Sequence, residues 1–309
     1  MSDYNVSYTG QQNGAGALDA NHLKLFAGEV ITSFNTRTVA SDKHVTREIQ
    51  NGKSAQFPAT GKITAGYHTP GNELTGSNSM KFNERVITID DLLVSHEFIA
   101  NIDEAKNHYD VRAPITEQLG DALAQAYDQN VLQVGVLAAR GSATITGQAG
   151  GASVTAATAK TDADVLRASY FSATQSMDEA DCPDGERYVF LKPAQYYLSA
   201  QDVVLLNRDY AGNGSISTGM IETAAGLTLV KTNNLPTTNV TTGPSGYQGD
   251  FTGTAALVMQ KGAVGTVRLL NLALESEYQI SRQGTLMVAK YAVGHGILRP
   301  HCAVEIKTA

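Results

Sequence analysis

Gly52-Lys53-Ser54-Ala55-Gln56-Phe57-Pro58 and Phe82-Asn83-Glu84-Arg85-Val86-Ile87-Thr88-Ile89-Asp90 are the two stretches whose reading decides the architecture. Each reads as a strand, and the residues between them are rich in Gly, Pro, Asn, Thr and Ser, the pattern of a long extended hairpin. Polar residues occur on both faces, so the arm can bury little against its own domain. Ordering it costs conformational entropy, which such an arm recovers by lying on a neighbouring molecule. With about 15 residues a side, it would reach near 50 Å at about 3.3 Å per residue. Lys53, Phe57, Lys62, Glu73, Lys81, Glu84 and Arg85 are the candidate contacts with that neighbour. Their mixed signs suit ion pairs between subunits better than a basic patch for nucleic acid.

Outward from the hairpin, residues 1–20 are rich in Tyr, Asn, Gly and Gln with no apolar period, which predicts a mobile N-terminal arm. Residues 23–31 read as a short helix or strand. Downstream, Pro114 suits a first helical turn, and Ile115, Leu119, Leu123, Ala126, Val134 and Leu137 fall near one stripe. This predicts a long helix to about residue 140, capped at Gly141, acting as a spine under a sheet. Residues 141–160 are Gly, Ala, Ser and Thr, a loop or weak hairpin. Thr161 is the expected cap of a second helix, Arg187 to Leu191 a buried strand, Pro193 the start of a short helix and 226–231 another strand. Residues 237–253 read as a loop. Strands are expected at 255–259, 265–270, 272–278, 286–293 and 303–307. The spine helix and the terminal strands must pack together, so one domain is split in sequence and another is inserted into it. The fold class is α+β.

Composition narrows the function. The chain has 309 residues, 42% hydrophobic and 17% charged, with 29 Gly and no Trp, which favours sheets and loops over a helical bundle. Its net charge of −7 argues against a binder of nucleic-acid backbones. Cys182 and Cys302 are far apart in sequence and read as two free thiols in a reducing compartment. No secretory signal and no membrane span are expected.

The search for chemistry returns little. Gly61-Lys62 lacks the glycine and hydroxyl residues of a phosphate loop, and no Gly-x-Ser-x-Gly elbow occurs. His295, His301, Cys302 and Glu305 are close in sequence, but adjacent residues on a strand face opposite sides, so structural roles are expected of them. The carboxylates Asp90, Asp91, Glu97, Asp103 and Glu104 read as solvated turn and helix-start residues. No catalytic, cofactor or metal site is expected.

Five ordered blocks carry a resemblance: 52–58; 84–90; Asn107-His108-Tyr109-Asp110-Val111-Arg112; Ala263-Val264-Gly265-Thr266-Val267-Arg268; and Ala289-Lys290-Tyr291-Ala292-Val293-Gly294-His295-Gly296 with Leu298-Arg299-Pro300. Gly214-Ser215-Ile216 fits more loosely. Together they resemble the major capsid proteins of short-tailed phages of the podovirus, autographivirus type. The resemblance implies the Hong Kong 97-type capsid fold: an N-terminal arm at 1–47, an extended loop at 48–88, a peripheral domain at 89–145 and 264–309 with its spine helix at about 114–140, and an axial α/β domain at 146–263. It implies hexamers and pentamers in an icosahedral shell enclosing double-stranded DNA without sequence-specific binding. It also implies a scaffolding protein during assembly and a portal protein at one vertex. The rivals are an encapsulin-like compartment shell of the same fold and an α/β enzyme built on the strands at 187–231.

Overall fold

The computed structural model describes residues 30, 32–34, 37–63, 65–73, 80–102, 112–206 and 220–308. Most of the expected N-terminal arm, the Gly214-Ser215-Ile216 stretch and residues 107–111 of the third block lie outside them. In chain order the elements are β1 (Val45–Glu48), β2 (Ser54–Thr60), β3 (Phe82–Thr88), β4 (Leu93–Ala100), α1 (Arg112–Ala139), β5 (Ala152–Thr155), α2 (Ala163–Glu179), β6 (Arg187–Leu191), α3 (Pro193–Ala200), α4 (Val203–Leu206), β7 (Thr223–Ala224), β8 (Leu227–Lys231), β9 (Asn239–Val240), β10 (Gly249–Asp250), β11 (Thr254–Gln260), β12 (Val264–Gln279), β13 (Gly284–Ile297) and β14 (Ala303–Lys307).

The chain divides into two units. The first comprises Met1–Thr38, Asp91–Tyr127 and Leu270–Val293. In it β4 pairs antiparallel with β13, from Leu93 opposite Tyr291 to Ala100 opposite Gly284. Its core is aromatic: Phe34 meets Tyr127 and Tyr291 edge-on, with ring centroids 5.8 and 5.6 Å apart, a geometry that places a positive ring edge on a negative face. Ser33 Oγ donates to the Glu117 carbonyl at 3.0 Å, and Arg37 pairs with Asp121 at 3.1 Å. Both contacts tie this early segment to the first turns of α1.

The second unit comprises Val39–Asp90, Asp128–Leu269 and Gly294–Ala309. Its six-stranded sheet has the order β5-β14-β11-β6-β8-β7. Central β11, Thr-Ala-Ala-Leu-Val-Met-Gln, is buried from Thr254 to Met259, as expected of a strand covered on both faces. The second half of α1 is buried nearly all round, and a Cβ on Gly135 would lie 2.6 Å from Leu257 Cδ2, so helix and strand meet at close range. Where α1 ends, Arg140 donates from Nε and Nη2 to the two oxygens of fully buried Glu305, each at 2.7 Å. Thr254 Oγ1 donates to the same carboxylate at 2.7 Å. On the sheet's outer side, α2 buries Leu166, Tyr170, Ala173 and Met177, and the Tyr170 hydroxyl bonds Ser199 Oγ of α3 at 2.8 Å.

Several expectations are corrected. α2 is capped by Asp162, whose carboxylate accepts from the N–H groups of Asp164 and Val165; the Thr161 hydroxyl instead donates to the Thr158 carbonyl. Aspartate is the stronger acceptor for orphan helix N–H groups and sits at the residue from which it reaches them. The two strands expected between 265 and 278 are one strand, β12. β1 and β4 arise where no strand was expected, β5 lies in the stretch read as a loop or weak hairpin, and 237–253 holds the small β9–β10 pair. The buried side of α1 also includes Tyr127, Val131, Leu132 and Val136, because a helix covered nearly all round in its second half does not need one narrow stripe.

Candidate functional site: the hairpin and its seat

β2 and β3 pair antiparallel from Ser54 opposite Thr88 to Thr60 opposite Phe82. The paired arm is thus seven residues a side, about 23 Å at 3.3 Å per residue. That is half the expected reach, since no strand occurs among the described residues of 61–81.

The base of the hairpin is seated on its own unit. Ala55 and Ile87 are buried with Val267, and Ile49, Phe57, Ile89 and Leu298 pack around them. Three glycines make room. A Cβ on Gly265 or Gly296 would lie 3.1 or 2.7 Å from Ile87 carbons, and one on Gly294 would lie 2.0 Å from the Thr88 carbonyl oxygen. The glycines of the 263–268 and 289–296 blocks therefore admit the returning strand at backbone distance, the role expected of Gly within strands.

A buried polar relay pins the same strand where it ends. The Tyr247 hydroxyl donates to the Asp90 carboxylate and accepts the His295 N–H at 2.9 Å. His295 Nδ1 shares Thr266 Oγ1 (2.7 Å) with His44 Nε2 (2.8 Å), and His44 Nδ1 lies 2.7 Å from the Ala40 carbonyl. Burial lowers His44 to about 4 and His295 to about 3, so both rings are neutral near pH 7. Burial, reinforced by the Asp90 carboxylate, pushes the Tyr247 phenol far up, keeping its proton on the donor side of the bond.

The seven candidate contact residues fall into two groups. Lys62 pairs with Asp181, and Arg85 donates from Nε and Nη2 to Thr144 Oγ1 at 3.3 Å each. Phe57 packs at the base with the Arg47 guanidinium 5.7 Å from its ring centroid. These three are held by their own chain. Lys53, Glu73, Lys81 and Glu84 are exposed, and among the described residues none forms a salt bridge. The sequence reading passed over the arm's exposed apolar side chains, Ile63, Tyr67, Phe82 (71% exposed) and Val86 (52%). Their presence in a segment otherwise full of turn residues was the available signal.

His295, Glu305 and Cys302, close in sequence, disperse in the fold: His295 joins the relay, Glu305 meets Arg140, and Cys302 faces Cys182. Among the described residues no group of His, Cys, Asp and Glu is arranged to hold a metal ion. What the geometry offers is a seated arm presenting charged and apolar side chains outward.

Comparison with known proteins agrees. The family model described as Gp10A-like major capsid protein matches residues 56–307. This chain belongs to that family. The major capsid protein of Escherichia phage T7 is 34% identical over 318 residues, covering 94% of this chain and 92% of the T7 protein. That of Enterobacteria phage T3 is 32% identical over 329 residues, covering 96% and 95%. The capsid structure of the cyanophage P-SCSP1u superposes with a TM-score of 0.79 at 41% identity, covering 88% of each chain. The fold is the Hong Kong 97-like fold of phage capsids, and the protein is a major capsid protein, a structural subunit of the phage head in the virion. The relatives favour the phage head over a compartment shell of the same fold.

Proposed function

We propose that this capsid protein builds its shell by laying the hairpin over an adjacent subunit, each copy giving an arm and receiving one. The observation that carries this is the contrast along the arm: a base locked by Ala55, Ile87 and the relay, where Val86 is exposed on the opposite face, and beyond it Phe82, Ile63 and Tyr67 in water. Lys53, Lys81, Glu73 and Glu84 supply ion pairs across that boundary. Single contacts of this kind are weak, and closed symmetry sums them into a stable particle. In this reading 1–47 is a second arm, 48–88 the extended loop, 89–145 with 264–309 the peripheral domain and 146–263 the axial domain at the capsomer centre.

The shell consists of hexamers and pentamers, forms around a scaffolding protein and carries a portal at one vertex. It encloses DNA without reading its sequence, and the net charge of −7 keeps DNA from adhering to its wall. Its work is architectural, with no turnover of a substrate. Electron microscopy of the protein co-expressed with and without a scaffold tests the reading. Uniform closed shells are expected for the wild type, and the double reversal Lys53→Glu, Lys81→Glu should lower their yield severalfold at unchanged solubility. Normal shells from that variant would refute the assigned ion pairs, and a wild type that stays monomeric in both settings would refute the assembly mode.

A further inference from the structure

Cys182 and Cys302 are separated by most of the inserted segment, yet the turns that carry them meet at one cavity in the second unit, where the two buried thiols influence each other. Each sits in a turn held by hydrogen bonds. α2 ends in a left-handed residue, Asp181 (φ 54°), with the Asp181 N–H bonded to the Asp178 carbonyl and the Cys182 N–H to the Met177 carbonyl at 2.9 Å. This is the hydrogen-bonded stop that fixes the first residues beyond a helix. Buried Arg187 then staples the turn, donating to the Cys182 and Pro183 carbonyls at 2.7 and 2.9 Å while pairing with Asp178 and Asp184. Cys302 closes the 3-10 turn Pro300–Cys302 immediately before β14, its N–H bonded to the Arg299 carbonyl at 3.1 Å.

The neighbours of both cysteines, Asp181 and Pro183 on one side and Arg299 and His301 on the other, line a cavity of about 640 Å³. Lys62, Arg85 and Lys261 also line it, so its walls hold more cationic than anionic groups. A small anionic disulfide is the kind of reagent such an opening admits.

We propose that Cys182 and Cys302 are a dithiol modification site that closes to an intrachain disulfide when the protein meets a low-molecular-weight disulfide such as oxidised glutathione. The two sulfurs have unequal roles, because Cys182 keeps 5% exposure and Cys302 none, so an incoming disulfide reaches Cys182 first. The Cys302 S–H, with Arg187 and Arg299 nearby, draws the Cys182 thiol below its ordinary range against burial and the Asp178 charge. Its hydrogen bond to Cys182, together with burial, pushes the Cys302 thiol well up. The Cys182 thiolate attacks glutathione disulfide: a Cys182–glutathione bond forms, the glutathione S–S bond breaks, and the departing thiolate takes up the proton Cys182 lost. Cys302 then gives up its proton and attacks the Cys182 sulfur, releasing the second glutathione as its thiol. Two electrons and two protons pass from the cysteine pair to the oxidant. In the reducing interior of a host the pair stays open, and after release it closes.

The test is thiol counting on the purified full-length protein, treated with oxidised glutathione while folded, checked by far-ultraviolet circular dichroism, then unfolded, alkylated and weighed. The reduced protein should take two alkyl groups and the oxidised protein none, with a loss of two hydrogens and no bound glutathione. Cys302→Ser should hold one glutathione on Cys182, and Cys182→Ser should hold none. Two alkylated thiols after oxidation, or glutathione retained by the wild type, would overturn the site. Glutathione on Cys302 in Cys182→Ser would overturn the assignment of Cys182 as the attacking sulfur.

Discussion

Replacing Gly294 by alanine isolates the seat of the hairpin. The added Cβ would lie 2.0 Å from the Thr88 carbonyl oxygen and 2.9 Å from both Ile89 Cα and Thr88 C. Because all three obstacles are backbone, no side-chain rotation relieves them, and the end of β3 must retreat by about 1 Å before the contact becomes tolerable. Overpacking of this kind costs about 1–3 kcal/mol, and a backbone obstacle belongs at the upper end. Gly294 does not have a positive φ, so alanine returns about 0.4–1 kcal/mol through the unfolded chain. The net is about 2 kcal/mol of lost stability, roughly a 30-fold change in the folding equilibrium. Gly246 is the matched control: nothing lies within 4 Å of its added Cβ and its φ is also not positive, so Gly246→Ala should be neutral or slightly stabilising. Urea unfolding of the purified full-length variants reads the stability, and sedimentation of assembled material reads the consequence for shells. Gly294→Ala should unfold at lower urea and assemble poorly, because the arm leaves its seat displaced. Equal midpoints for the two variants, or normal shells from Gly294→Ala, would refute the argument that these glycines position the arm.

Three further outcomes follow from the same geometry. Arg140→Ala leaves the fully buried Glu305 carboxylate with Thr254 as its remaining described donor, and should cost about 3 kcal/mol, the low end for a broken buried pair because Arg140 is itself a third exposed; an unfolding midpoint within error of wild type would contradict it. His44 and His295 are lowered to about 4 and about 3, so above pH 6.5 both are neutral folded and unfolded and their contribution is fully present. As pH falls below 6.5 the unfolded chain takes up protons that the folded chain refuses, and stability drops by up to about 1.4 kcal/mol per pH unit for each, until the folded rings titrate near 4 and 3. Urea midpoints at descending pH should show this slope, and His44→Gln should flatten it; a wild-type midpoint independent of pH through this window would rule it out. Finally, the contacts proposed for the arm are ion pairs and apolar side chains, all non-covalent, so boiled, denatured particles should run as a monomer band, and a ladder of multiples would overturn that assignment.

Local patterns were legible and long-range coincidences were not. β6, Arg-Tyr-Val-Phe-Leu, and the run from Arg112 to Ala139 announce themselves because their periodicity lies within one element. β4 escaped because Leu-Val-Ser-His-Glu-Phe-Ile-Ala is a mostly half-exposed strand, with polar His96 and Glu97 adjacent. β12 read as two strands because Leu270 and Asn271 are exposed midway along it. At the hairpin, alternation revealed the arm, but its attachment depends on residues distant in sequence. Thr266 bridges histidines at 44 and 295, and Tyr247 reaches Asp90 from a stretch that reads as mere loop. Gly265, Gly294 and Gly296 carried the one usable hint, since glycine inside an apolar strand pattern signals close backbone approach; what approaches could be learned only from the fold. Lys62 and Arg85 show the same limit: their charge was visible, but whether it is spent within the chain or offered to a neighbour depends on Asp181 and Thr144 standing opposite. The functional surface is therefore what remains of the arm after its own chain has taken its share. That remainder is Lys53, Glu73, Lys81 and Glu84 with the exposed Phe82 and Val86, and substitutions there should weaken assembly while leaving the folded subunit intact.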